Sequence, residues 1–129
     1  MHQPSTEPRR SIYYDYQVHA PWLPSQHGQQ PRHQVVIAGG GPVGLTAALE
    51  LARHGVSCVL LESELQVSEG SRAIVFTRRS MEILQQVGVA HRVMQHGLPW
   101  RFGNSIYRGQ QVFRMEAPHD DNDRFWPMI

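Results

Sequence analysis

The run Val35-Val36-Ile37-Ala38-Gly39-Gly40-Gly41-Pro42-Val43-Gly44 restricts what this chain can fold into more than any other stretch. A β-branched apolar run that stops at glycine and restarts as a helical pattern dictates a strand, a tight turn and a helix in direct succession. Gly39, Gly41 and Gly44 stand at the spacing G-x-G-x-x-G, and each has its own mechanical task. Gly39 permits the turn out of the strand, Gly41 removes a Cβ from the path of an approaching anion, and Gly44 lets the helix lie close on the strand. Pro42 suits the first helical position, where its missing N–H costs nothing. The spacing predicts a helix over Pro42 to His54, with Val43, Leu45, Ala47, Ala48, Leu49 and Leu51 on a broad apolar face and Gly55 as its stop.

A second strand, Ser57 to Leu61, ends at Glu62, so that a βαβ unit runs from about Gln34 to Glu62, the length of roughly 30 residues such a unit needs. The free N–H groups and the positive dipole end of the helix favour an anion in front of it, by about 0.3–1 kcal/mol per charge for the dipole alone. A carboxylate at the end of the second strand, here Glu62, accepts hydrogen bonds from the hydroxyls of an adenosine ribose and repels a 2′-phosphate. The pattern therefore points to a dinucleotide other than NADP, with FAD and NAD both open. The plainer alternative is that the glycines serve only a tight βα turn and that Glu62 is a solvated strand-end carboxylate. That alternative keeps the fold and loses the ligand.

Beyond Glu62 the chain reads Ser63-Glu64-Leu65-Gln66-Val67-Ser68-Glu69-Gly70-Ser71-Arg72-Ala73 and then Thr77-Arg78-Arg79-Ser80-Met81-Glu82-Ile83-Leu84-Gln85-Gln86-Val87-Gly88. The order G-G-G-P-V-G-L, L-L-E, G-S-R-A and R-S-M-E-I-L-x-x-x-G resembles the N-terminal part of flavin-dependent aromatic hydroxylases. The likeness is to the branch typified by 3-(3-hydroxyphenyl)propionate hydroxylase and phenol-type monooxygenases, and it covers about Gln34 to Ile129. It implies an α/β fold: a Rossmann-like FAD-binding βαβ unit within an incomplete FAD/NAD(P)-binding domain. It implies FAD as the cofactor, held by Gly39, Gly41, Pro42, Val43, Gly44, Glu62, Ser63 and Arg72. The Arg72 guanidinium would lie near the pyrophosphate or adenosine, a task suited to a planar, permanently charged donor; otherwise it is a surface arginine closing a loop.

The resemblance further implies that NADH or NADPH, as a transient co-substrate, reduces the FAD, and that the reduced flavin takes up O₂ and delivers one oxygen atom to a phenolic or other small aromatic substrate. The flavin carries that chemistry. The family's later Asp-Gly and Gly-Asp segments have no counterpart here, so catalytic residues are not assigned, and the chain reads as a truncated member whose missing C-terminal portion, or a second copy in a homo-oligomer, would complete it.

The stretch after Thr77 is expected to be a helix with Met81, Ile83, Leu84 and Val87 on its core face. Arg78 and Glu82 stand four apart, the spacing of a helix-surface pair worth about 0.2–0.5 kcal/mol. A β-hairpin near the C-terminus is expected from Arg101 to Tyr107 and Gln111 to Met115, turning around Arg108-Gly109-Gln110, with Phe102, Ile106, Val112 and Phe113 available for burial. The acidic run His119-Asp120-Asp121-Asn122-Asp123 reads as a solvated loop.

Residues 1–33 form a separate Pro-rich leader, with five prolines among polar residues and a Tyr13-Tyr14-Asp15-Tyr16 cluster. Tyr13, Tyr14, Tyr16 and Trp22 can dock it on the body, residues 34–129, or it can trail as a flexible tail. It lacks the uninterrupted apolar run of a signal peptide, and no stretch has the roughly 20 apolar residues of a membrane span. A cytoplasmic location without membrane attachment is expected. A formal net charge of +1 with no basic stripe gives no electrostatic case for nucleic acid. The eight histidines are scattered and His91 and His96 are five apart, which does not make a helical metal pair. Cys58, the single cysteine, is expected to pack as a small apolar residue.

Two other functions share these features. One is a non-catalytic remnant or nucleotide-binding subunit that keeps the βαβ shape. The other is an NAD-dependent dehydrogenase fragment, disfavoured because a long loop and a further helix follow the second-strand acid. Retention of FAD separates them.

Overall fold

Val35, Val36 and Ile37 cannot form an amphipathic helix with the glycines that follow, and they lie instead in a strand, β1 (Val35–Ala38), of the computed structural model. The structure describes residues 12, 14–21, 32–68 and 75–129. It divides into two units, residues 1–72 and 73–129, and each is considered by itself.

In the first unit β1 leads into helix α1 (Pro42–Arg53), which returns the chain to β2 (Cys58–Leu61). β2 pairs with β1 in parallel, in the register Val35↔Cys58 to Ala38↔Leu61. Pro42 opens the helix and Gly55, at φ +70°, follows its end, as the sequence pattern requires. The face α1 buries is narrower than its apolar composition predicts. Gly44, Ala48 and Leu51 are half-buried, whereas Val43, Leu45 and Leu49 are exposed. Among the described residues two strands offer α1 only a thin strip to cover, and the flanking apolar positions find no described layer to pack on. For the same reason Val36 and Leu61, on the strands themselves, stay exposed, and Cys58 is half-buried.

The second unit contains α2 (Arg78–Gln86), α3 (Ala90–His96) and an antiparallel hairpin of β3 (Phe102–Tyr107) and β4 (Gln110–Glu116). Thr77 caps α2, its hydroxyl accepting the Ser80 N–H. Arg108 and Gly109 both have positive φ, +48° and +78°, the signature of a two-residue type I′ hairpin turn. The hairpin is where the sequence places it, but its apolar residues are not in a core: Phe102, Ile106, Val112 and Phe113 are all exposed.

The core of this unit lies elsewhere. Met81, fully buried, packs with Ala90, Phe125 and Ile129, and Phe76, Leu84, Val93 and Met94 close around them. Ile83, expected on the core face of α2, is exposed. It stands two residues from Met81, about 200° around the helix, while Leu84 at i+3 shares the buried side. The final residues complete this core in an extended strip. Phe76 and Ile129 exchange backbone hydrogen bonds of 2.8 and 2.9 Å, and the Arg78 and Trp100 N–H groups donate to Pro127 and Met128. Nothing in the local sequence announces that strip, because its partners are about 30 to 50 residues distant.

Arg78 does not pair with Glu82. Its guanidinium reaches the Asp123 carboxylate at 2.9 Å and the carbonyls of Pro118 and Phe125 at 2.9 and 3.1 Å, and Arg79 takes Glu82 instead. The 119–123 segment is thus a built corner and not only a solvated loop. His119 stacks on Trp126 with ring centroids 5.0 Å apart, and the Asn122 N–H and side-chain amide hold the Asp120 carboxyl below its usual range. No described helix is long and apolar enough to cross a membrane.

Because Met81 is the one large side chain fully enclosed among the described residues, Met81→Ala should cost about 2–5 kcal/mol. Urea denaturation followed by circular dichroism checks this; an unchanged midpoint would mean the α2 contacts do not form a core.

Candidate dinucleotide site

The parallel register sets the site's geometry before any side chain is considered. Ala38 lies opposite Leu61, and the Gly39 N–H extends the ladder by one bond, 2.7 Å to the Leu61 carbonyl. The next residues on either side are Gly40 and Glu62, so the glycine turn and the strand-end acid are forced together. Gly39 takes φ +105°, a conformation that L side chains rarely adopt. A Cβ at Gly44 would collide with the Gly39 carbonyl oxygen and crowd Ile37. Helix α1 can therefore approach β1 this closely only with glycine at that position.

Gly41 serves a different end. It is the N-cap of α1 in extended conformation, and among the described residues no side chain caps the helix there and, its chain neighbours aside, no atom lies within 4 Å of where its Cβ would stand. The first helical turn thus opens onto space on the Gly41 side, with Pro42 exposed and Val43 84% exposed beside it. Such an uncapped, side-chain-free helix start suits an anionic group, which backbone N–H donors and the helix dipole attract together.

Glu62 borders this opening. One carboxylate oxygen accepts the Gly40 N–H at 2.6 Å, and the other accepts the N–H groups of Ser63 at 2.7 Å and Glu64 at 3.0 Å. These bonds hold its pKa below the ordinary glutamate value, the Glu64 and Gly40 amides contributing most, against a smaller opposing effect of burial. The acid is therefore ionised and fixed in direction. The Ser63 hydroxyl lies 3.3 Å from the same oxygen as its own N–H. Of the residues expected to hold a dinucleotide, Gly39, Gly41, Pro42, Val43, Gly44, Glu62 and Ser63 lie in one loop–helix–strand-end cluster. Arg72 lies outside the described residues.

Gly40 is a participant that the G-x-G-x-x-G spacing passes over. Besides donating to Glu62, it has no room for a side chain: a Cβ would lie 3.0 Å from the Glu62 carboxylate and 3.3 Å from Leu60. The available signal was a glycine at the middle of the run Gly39-Gly40-Gly41, where the spacing does not call for one. These residues fit an adenosine diphosphate group, with an anion seat on the Gly41 side of α1 and a fixed carboxylate at the end of β2.

Comparison with known proteins points to FAD. Residues 32–125 match the family described as "FAD binding domain". The chain is 37% identical over 83 residues to the pentachlorophenol 4-monooxygenase of Sphingobium chlorophenolicum, covering 64% of this chain and 14% of that protein. It superposes on the flavin-dependent monooxygenase PieE, solved in complex with FAD and substrate, with a TM-score of 0.61 and 36% identity over 70% of this chain and 16% of that one. It also superposes on the p-nitrophenol 4-monooxygenase PnpA of Pseudomonas putida DLL-E4, with a TM-score of 0.50 and 33% identity over 65% of this chain and 22% of that one. The chain therefore spans less than a quarter of the length of each.

The lowered pKa of Glu62 has a signed consequence. Stability from its three amide bonds is present in full above the ordinary glutamate value of 4.5 and is lost as the pH falls through the lower folded value. Protection of the Gly40, Ser63 and Glu64 amides against hydrogen exchange, corrected for intrinsic pH dependence, should fall on acidification below that point. In Glu62→Gln this acid limb should disappear; its persistence would mean another group controls the loop.

Proposed function

We propose, from the premise that this chain belongs to the FAD binding domain family, that it holds the adenosine diphosphate end of FAD as part of a flavin-dependent monooxygenase acting on phenolic or related aromatic substrates. The observation that supports this reading is the Glu62–Gly40 contact beside the open N-terminus of α1, an arrangement that suits a ribose-binding acid next to a pyrophosphate seat. The named monooxygenases it resembles supply the aromatic substrate class.

In this reading the Gly41 side of α1 receives the pyrophosphate, with Pro42 and Val43 forming the first turn and Gly39 and Gly44 keeping strand and helix close. Glu62 accepts from the ribose hydroxyls, while Ser63 and Glu64 hold its carboxylate in place. Arg72 belongs to the same proposed set, by its position in the sequence. When bound, the flavin supplies electron transfer from NADH or NADPH and oxygen activation. This chain's described residues supply binding and orientation. The proposed division is a leader over residues 1–33 and a body over 34–129 that forms the N-terminal part of the FAD domain, with a cytoplasmic setting.

The test is a titration of the chain with FAD, following flavin fluorescence together with circular dichroism, and saturable binding is the expected result. Gly41→Val fills the space in front of α1 and should abolish binding, and retained affinity in that variant would remove the pyrophosphate seat from this loop. Glu62→Ala should weaken binding by about 1–3 kcal/mol, the scale of charge-assisted hydrogen bonds, without loss of helix signal. Binding of NAD with no binding of FAD would favour a dehydrogenase fragment instead.

A further inference from the structure

The two oxygens of the Glu62 carboxylate are not equally available. Oε1 accepts the N–H groups of Ser63 at 2.7 Å and Glu64 at 3.0 Å, and the Ser63 hydroxyl lies 3.3 Å from the same atom. Oε2 accepts the Gly40 N–H at 2.6 Å and, among the described residues, no second donor. An ionised carboxylate has about four lone-pair positions, about two on each oxygen. Two amides fill those of Oε1, and one amide leaves a single position on Oε2.

The surroundings preserve this difference. A side chain on Gly40 would stand with its Cβ 3.0 Å from Oε2, so the glycine supplies a donor and leaves that oxygen uncovered on its own side. Glu62 itself is exposed. A hydroxyl arriving at Oε1 has to displace or crowd an amide already bonded there, so it gains little over the bond it replaces. A hydroxyl arriving at the open position on Oε2 forms a new charge-assisted bond and displaces no protein donor.

We propose that Glu62 reads the two ribose hydroxyls unequally: one takes the open position on Oε2 and carries the recognition, while the other gains little from the carboxylate. The proposal rests on the reading of Glu62 as the ribose-binding acid, and it adds which oxygen binds and how many hydroxyls that oxygen can serve. It also defines the ligand class more closely. An adenosine diphosphate that lacks the second hydroxyl should bind nearly as well as the intact group, and discrimination should be strong at the first hydroxyl alone.

The experiment is a calorimetric titration of the full chain with ADP, 2′-deoxy-ADP and 3′-deoxy-ADP. Loss of the hydroxyl that sits on Oε2 should weaken binding by roughly ten- to a hundredfold, the scale of one hydrogen bond to a charged group, and loss of the other by about threefold or less. Glu62→Ala should weaken ADP and erase the difference between the two deoxy nucleotides, with the circular dichroism of the parent. Equal losses for the two analogues, or no loss with either, overturn the proposal. A difference that persists in Glu62→Ala overturns it as well, because the discrimination then belongs to another group. The reading of the site fails differently: ADP does not bind the parent, or Glu62→Ala binds ADP as the parent does, and the division between hydroxyls falls with it.

Discussion

The register between β1 and β2 is the constraint on which the site depends. Val35 opposite Cys58 puts Ala38 opposite Leu61, and one further bond from Gly39 to Leu61 leaves Gly40 and Glu62 no place but beside each other. A shift of one residue would reverse the face of every side chain in β2 and carry Glu62 away from the turn. The glycines then follow as requirements of that register. The chain must leave β1 sharply at Gly39, pass the carboxylate at Gly40 without a side chain, and start α1 almost in contact with the strand at Gly44. The shape of the loop is produced by close packing, with the carboxylate and the amides that hold it brought together by the same four-residue ladder.

Electrostatics complete what packing begins. Three N–H groups converge on Glu62, and among the described residues no cationic side chain is a hydrogen-bond partner of it. Its pKa is lowered by main-chain dipoles, which are fixed by the fold and do not need a long flexible side chain to be ordered. A carboxylate held this way is directional, and direction is what recognition of a ribose diol requires. The helix start faces a different demand, attraction of a diffuse negative charge, and there the chain leaves the N-cap bare. One opening thus presents a hydrogen-bond acceptor on one side and donors on the other.

The first unit was legible in the sequence because its rules are local. A β-branched run, glycines at fixed offsets, a proline at N1 and an acid closing the second strand each act within a few residues, and the observed helix and second strand differ from that reading only in that His54 and Ser57 each fall one residue outside. What was not legible was depth. Val43, Leu45 and Leu49 are apolar and exposed because exposure depends on how many strands lie beneath the helix, which no periodicity within the helix encodes. In the second unit Arg78 could have met Glu82 by spacing, but three partners in the 118–125 segment outcompete it. Phe125 and Ile129 are core residues for a similar reason, their contacts reaching back to α2 and α3. Gly40 lay between two assigned glycines and had no role until Glu62 was placed next to it.

These features bear on how ligand and fold depend on each other. A two-stranded sheet with one helix buries little apolar surface, and isolated two-stranded arrangements are marginal in water. The site is built at the edge of that sheet, so the bonds that shape it belong to an element that buries little surface between its described strands. A ligand that binds only the ordered loop then contributes to folding as well as to function, by about 2.7 kcal/mol at a concentration a hundredfold above its dissociation constant. A dinucleotide would gain affinity from any contact that orders Gly40 and Glu62 beforehand and would lose it where that order must be induced. In a unit this thin, binding free energy and folding free energy are drawn from the same few hydrogen bonds, and the strength of the site is set by the register that brings those bonds together.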